Sequence, residues 1–121
     1  MYADPQSLTV GGGAKSFVRI GSATPASKGS FKTGDEVYRF DVSQNGTSTR
    51  KRREVRLTKT AVAADPISAV NKEVSASVII VVDEPNWGFD DATLIDMITG
   101  LIGWFSASTY ANGEKLLDGE L

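Results

Sequence analysis

The chain has 121 residues, 40% of them hydrophobic and 23% charged, with a net charge of −2, no cysteine and no histidine. This length and balance describe one ordinary globular domain spanning 1–121, with a core of modest thickness. The composition excludes a disulfide-supported fold and any chemistry built on histidine, the commonest general base and metal ligand.

The start, MYADPQSLTV, has no basic leader region and no long apolar core, so no signal peptide is expected. Residues 7–10 alternate, 11–13 are three glycines, and 15–20 alternate again. Glycine reaches positive φ without steric cost, so the pattern predicts a β-hairpin over about 7–20. A phosphate-binding loop would need a helix start after the glycines, and none follows. Residues 21–34 read as a loop rich in Gly, Ser and Thr, with Phe31 a candidate anchor for a short strand.

Over 36–43 the alternation puts Tyr38, Phe40 and Val42 on one face and Val37, Arg39, Asp41 and Ser43 on the other. Asn45-Gly46 is the strongest hairpin signal in the chain and predicts the turn there. The segment 48–60, STRKRREVRLTKT, then carries six basic residues and one acid. From about Arg52 it alternates, with Arg53, Val55, Leu57 and Lys59 opposed to Arg52, Glu54, Arg56 and Thr58. Pairing across Asn45-Gly46 brings Arg39 to the face of Arg52 and Arg56, a flat basic surface.

Residues 61–72 read as a longer connection broken by Asp65-Pro66, and 72–83 as the longest strand. Val74, Ala76, Val78, Ile80 and Val82 line one of its faces. Its end, 78–82, is apolar on both faces, which suits a buried central strand or a subunit interface. Pro85 ends it. The sheet is thus expected over about 35–83.

Helices are expected over about 91–117. Asp90 or Asp91 is a good N-cap, and Leu94, Ile98, Leu101, Ile102 and Phe105 form a single apolar stripe widened by Ile95 and Trp104. Gly100 and Gly103 inside it cost about 1 kcal/mol each against Ala, so a close neighbouring backbone is expected there. Ser108 is predicted to cap a second helix running through Leu117, with Gly119 past its end. The fold class is therefore α+β: an N-terminal hairpin, an antiparallel sheet and two C-terminal helices on one of its faces. The apolar stripe is far shorter than the ~20 residues that cross a bilayer, so a soluble protein made in the cytoplasm, with no membrane partner, is expected.

Charge is partitioned. Residues 1–60 hold eleven of the thirteen Lys/Arg and five acids; residues 61–121 hold Lys72, Lys115 and ten acids. That predicts one basic and one acidic surface. No Walker loop, Gly-x-Ser-x-Gly or nucleophile–base pair is present. Asp83-Glu84 and Asp90-Asp91 could hold a hard divalent cation, but they read more simply as a polar strand end and a helix cap. Trp87 and Trp104 read as core or interface residues. No catalytic residue, metal or cofactor is expected; the pattern argues for binding or assembly.

This order of elements resembles the coat proteins of single-stranded-RNA bacteriophages of the levivirus type. The main likeness runs from strand 78–82 through 90–94 and 99–102 to 106–109 and 115–117. A second lies in the hairpin stretch 42–46 with its basic residues following, and with the element order the resemblance covers nearly the whole chain. It implies an intertwined two-fold dimer, in which the last strands of two subunits pair and each subunit's helices cross the partner's sheet. It further implies a quasi-equivalent icosahedral shell, a virion location, and single-stranded genomic RNA on the open sheet face. Many members also repress replicase translation through an RNA hairpin. Arg39, Arg52, Arg56 and Thr58 fit the polar and basic role on that face, joined by Ser75 and Ser77 on the last strand. No aromatic accompanies them there, so general packaging is better supported than hairpin recognition by stacking. The dimer interface would use Val78, Ile80, Val82, Leu94, Ile98, Leu101, Ile102 and Phe105, and the loop at 62–69 would line the symmetry axes. The alternatives are a small dimeric nucleic-acid-binding regulator that forms no shell, and a metal-using enzyme built on the Asp/Glu pairs.

Overall fold

The structure, a computed structural model, describes residue 2 and residues 4–20 and 29–120. It divides into two compact units, Met1–Asn86 and Trp87–Leu121, each described by itself. The predicted loop at 21–34 lies partly outside the described residues.

The first unit is a six-stranded antiparallel meander. Its strands β1 (Gln6–Val10), β2 (Gly13–Ile20), β3 (Gly29–Lys32), β4 (Tyr38–Gly46), β5 (Arg50–Ala64) and β6 (Asn71–Pro85) are neighbours in chain order. The first hairpin turns at Gly11 and Gly12, both at positive φ, with Val10 opposite Gly13. Gly11 lies so close to Tyr38 that a Cβ there would stand 2.7 Å from the phenol oxygen. Phe31 does more than anchor a short strand: β3 pairs with both β2 and β4, and Phe31 is fully buried.

Asn45-Gly46 does not form the turn. Both residues stay in β4, opposite Arg52 and Lys51, and the chain reverses at 47–50. There the Arg50 N–H donates to Thr47 Oγ1 (3.1 Å) and the Thr47 N–H donates to the Arg50 carbonyl (2.8 Å). Hydrophobic matching explains the shift. The observed register sets Phe40 against Leu57 and Val42 against Val55, whereas a two-residue turn at Asn45-Gly46 would set them against Lys51 and Thr49. Asn86, just past β6, reinforces the turn by donating its side-chain amide to the Ser48 carbonyl (2.8 Å) and its N–H to that of Thr49 (3.1 Å). The slip preserves parity, so each residue keeps its face.

The expected long connection at 61–72 is also mostly strand. β5 and β6 pair from Arg50–Pro85 to Ala64–Asn71, leaving a tight loop at 65–70. Asp65 organises it by accepting from the Ile67 N–H (2.8 Å), the Ser68 N–H (3.3 Å) and Lys72 Nζ (3.2 Å). These donors, the Ile67 N–H foremost, hold its carboxyl below the usual carboxylate range. The loop's stabilisation is thus complete near neutrality and is lost only as pH falls through that lowered value.

The core lies under the first four strands. Phe17 and Phe31 are fully buried, Tyr38 and Val42 nearly so, and Leu8, Val10, Val37, Phe40 and Leu57 pack against this cluster. The rings meet edge-on or tilted, Phe17–Tyr38 at 6.4 Å and Phe31–Phe40 at 6.0 Å between centroids. Among the described residues these four are the only buried apolar side chains.

The second unit holds one helical element, α1 (Asp91–Leu117), where the sequence predicts two helices. Asp90 is its N-cap and accepts from the Thr93 N–H at 2.8 Å. The Thr93 side chain and this N–H keep the Asp90 carboxyl below its ordinary value. The element is interrupted: Ala107 is extended, and Ser108, Thr109 and Tyr110 lie in the left-handed region. Ser108 therefore lacks the extended backbone of an N-cap. Contacts around the break hold it. Asn112 Nδ2 donates to the Trp104 carbonyl (2.9 Å), Tyr110 meets Phe105 edge-on at 5.9 Å, and Gly113 is buried against the Phe105 ring. Phe105 is thus half-buried against its own unit. Gly119, at positive φ, ends the element. Left-handed backbone is costliest for a β-branched residue. Thr109→Gly is therefore expected to raise stability by about 1 kcal/mol in urea unfolding.

Candidate nucleic-acid interface and the uncovered edge

The observed register fixes the two faces of β3–β6. Arg39 lies opposite Thr58; Arg52, Arg56 and Thr58 alternate along β5; Thr58 faces Ser77 and Thr60 faces Ser75 on β6. Arg39, Arg52, Arg56, Thr58, Ser75 and Ser77 therefore share one face. The Thr58 and Ser77 hydroxyls are hydrogen-bonded at 3.1 Å, at one end of a row that continues through Thr60 and Ser75.

This face is not a bare cationic surface. It carries Lys32, Arg39, Arg50, Arg52 and Arg56, but also Asp41, Glu54, Glu73 and Asp83. Arg39 Nε donates to both oxygens of Asp41 (3.2 Å each), and the buried Asp41 also accepts from Ser30 Oγ (2.7 Å). Arg56 is held by Glu54 through Nε (3.1 Å) and Nη2 (3.0 Å), and Arg50 by Asp83 (3.0 Å). Among the described residues, Arg52 has no ion-pair partner. The signal for these pairs was in the strands: Asp41 follows Arg39, and Arg56 follows Glu54, at the two-residue spacing that shares a face.

The opposite face is apolar at its centre and basic at its rim. Phe40, Val42, Val55, Leu57, Val78, Ile80 and Val82 lie on it, with Lys51, Arg53, Lys59 and Lys72 at its two ends. Arg53 pairs with the buried Glu84 at 3.1 Å, and Lys59 sits over the Tyr38 ring. Much of the positive charge that the sequence gathers at 48–60 thus lies away from the polar face.

Among the described residues β6 is the sheet's last strand, with a neighbour on one side only. Val78 is 69% exposed and Ile80 47%, while Val82 is half-buried. On α1, Leu94 and Ile98 are half-buried, and Leu101 and Ile102 are exposed. Among the described residues of its own unit, a Cβ on Gly100 or Gly103 would meet nothing within 4 Å.

The carboxylate pairs serve local structure. Asp83 and Glu84 hold Arg50 and Arg53, and Asp90 caps α1. Among the described residues no three acidic side chains converge on a possible metal site. No helix among them is long and apolar enough to cross a membrane.

Solved structures share this arrangement from end to end. A virus-like particle of bacteriophage AVE019 superposes with a TM-score of 0.76 at 16% identity, covering 100% of this chain and 98% of that one. The capsid protein of bacteriophage GA gives 0.59 at 17% identity, with coverage of 98% and 95%. An unassembled bacteriophage coat protein dimer, described as an RNA-binding dimer, gives 0.53 at 16% identity, with coverage of 98% and 95%. The fold is that of the RNA-bacteriophage coat proteins. No family model matches the sequence, and no curated protein does. The coat-protein fold is thus carried here by element order and strand pairing, at identities too low for residues to be matched one by one. On it the polar face and the apolar edge strand lie in the same two strands, β5 and β6, so one hairpin supplies both candidate surfaces.

Proposed function

We propose that the chain is a non-enzymatic capsid protein of an RNA bacteriophage, which dimerises, builds a closed icosahedral shell and packages single-stranded RNA. One observation carries the reading: within this fold, a fifteen-residue edge strand exposes apolar side chains beside a core of four buried ones among the described residues. An edge of that length invites pairing, and a second copy is the partner that closes it. Burial of Val78, Ile80, Val82, Leu94, Ile98, Leu101, Ile102 and Phe105 in that pair would add roughly 25 cal/mol per Å² of apolar area.

Charge supports the same partner. The unit Trp87–Leu121 carries six acids against Lys115 alone. The apolar sheet face that would receive a partner's helical element is rimmed by Lys51, Arg53, Lys59 and Lys72, of which Arg53 is already paired with Glu84 and Lys72 with Asp65. Opposite signs around an apolar centre suit a docked pair and speed its formation. Gly100 and Gly103 leave room for close backbone approach in it.

The polar face then takes RNA through Arg39, Arg52, Arg56, Thr58, Ser75 and Ser77. β6 offers Glu73, Ser75, Ser77, Ile79 and Val81 there and no ring for a base to stack on, so packaging is favoured over hairpin-specific repression. Expression of the chain alone, with electron microscopy of the product, tests the shell: closed particles are expected, and dimers that never grow across pH and salt would favour a regulator instead. Arg52→Ala with Arg56→Ala should weaken RNA binding and flatten its salt dependence by about 0.7 log units per lost phosphate contact. An unchanged slope would put the RNA elsewhere.

A further inference from the structure

We infer that Glu54 is a specificity-determining residue of the polar face: it occupies Arg56, so that polyanions gain little there from charge alone and RNA is selected through the neighbouring hydroxyls. The inference rests on the reading of that face as the RNA surface.

Glu54 Oε1 accepts from both Nε and Nη2 of Arg56, the edge of the guanidinium that would otherwise grip a phosphate with two parallel hydrogen bonds. The same arrangement recurs across the face, with Asp41 on Arg39 and Asp83 on Arg50. Three of the five cations are thus held by Asp41, Glu54 and Asp83 at 3.0–3.2 Å, well inside the ~8 Å Debye length of physiological salt, while Glu73 lies farther along β6. A phosphate backbone therefore meets a partly neutralised surface, and the counterion-release term that drives indiscriminate binding is reduced. Next to Arg56 stand Thr58 and Ser77, then Thr60 and Ser75. Hydroxyls donate and accept, which suits the base edges and ribose hydroxyls of RNA, and a polyanion without bases offers no such edges. Discrimination is a difference between affinities, and a carboxylate that repels stray phosphate contributes to it as directly as a contact that attracts the right ligand.

The test compares wild type, Glu54→Gln, Asp83→Asn and Arg52→Ala as unassembled protein, titrated with oligouridylate and with heparin over a range of salt. Glu54→Gln keeps the side chain's shape and removes its charge; Asp83→Asn frees Arg50 at a well-exposed position and does not depend on the Glu54 site folding normally. Each is expected to bind both polyanions more tightly, to steepen the salt slope by about 0.7 log units for the gained phosphate contact, and to narrow the preference for oligouridylate over heparin. If Arg52→Ala flattens the slope but neither acid variant steepens it, the restraint assigned to Glu54 is wrong and the RNA face stands. If Arg52→Ala also changes nothing, the face itself is wrong and the inference goes with it.

Discussion

Ile80→Asp is expected to abolish self-association, and with it particle formation, while the strands β1–β4 keep their core. Ile80 lies on the apolar face between Val78 and Val82, opposite Val55, in the strand that has no second neighbour among the described residues. In the isolated chain the new carboxylate reaches water, because the site is about half exposed. In a pair closed across β6 it would be buried without a partner, at a cost of about 3–5 kcal/mol. That is roughly three decades in the dissociation constant. Ile79→Asp provides the contrast. It points to the polar face, opposite Arg56, where an acid finds a cation and need not be buried. Sedimentation velocity on the two variants therefore reports a face and not merely a strand. Wild-type association by Ile80→Asp would remove β6 as the interface.

Face assignments were readable in the sequence wherever side chains alternate, because a period of two survives errors in the turn. The Asn45-Gly46 signal put the reversal three residues early, yet Arg39, Arg52, Arg56 and Thr58 still fall together, since the slip conserves parity. Turn position was not readable. It depends on which apolar residues meet across strands, Phe40 with Leu57 and Val42 with Val55, and on Asn86 reaching back to the Ser48 and Thr49 carbonyls from beyond β6. The Asp65-Pro66 pair misled for a related reason: it looks like a break in a long loop, but the Asp65 carboxylate closes a tight one by accepting the next N–H groups. The balance of the polar face was missed because charge was counted along the chain. Counted across the sheet, Asp83 comes to Arg50 and Glu84 to Arg53 from the paired strand β6, and half of the basic cluster faces the other way.

The break in α1 lay outside the reach of periodicity. The stripe from Leu94 to Phe105 continues a helix without warning, and Ser108 offers an ordinary cap. Gly113 lets the Phe105 ring lie close against the backbone there: a Cβ would stand 3.2 Å from the ring, a tight contact. Left-handed conformation at three successive non-glycine residues is the strain that this packing sustains.

Phe31→Ala should be the most damaging single truncation in the chain. Phe31 is fully buried, its ring is tilted against Phe40 at 6.0 Å, and the Arg19 guanidinium lies 4.6 Å above it. Removing such a ring costs about 3–5 kcal/mol, from lost transfer energy and from the cavity left behind. A typical domain has about 5–15 kcal/mol in all, and this one starts low, with four buried apolar side chains among the described residues. β3 is also only four residues long and pairs on both sides, so it has few other contacts to keep β2 and β4 in place. The loss should therefore spread to the whole meander. Because an associated state stabilises its folded subunits by mass action, the variant's urea midpoint should rise steeply with protein concentration, from a value near zero when dilute. A midpoint close to wild type and independent of concentration would mean that the aromatic cluster is not what holds the first four strands together.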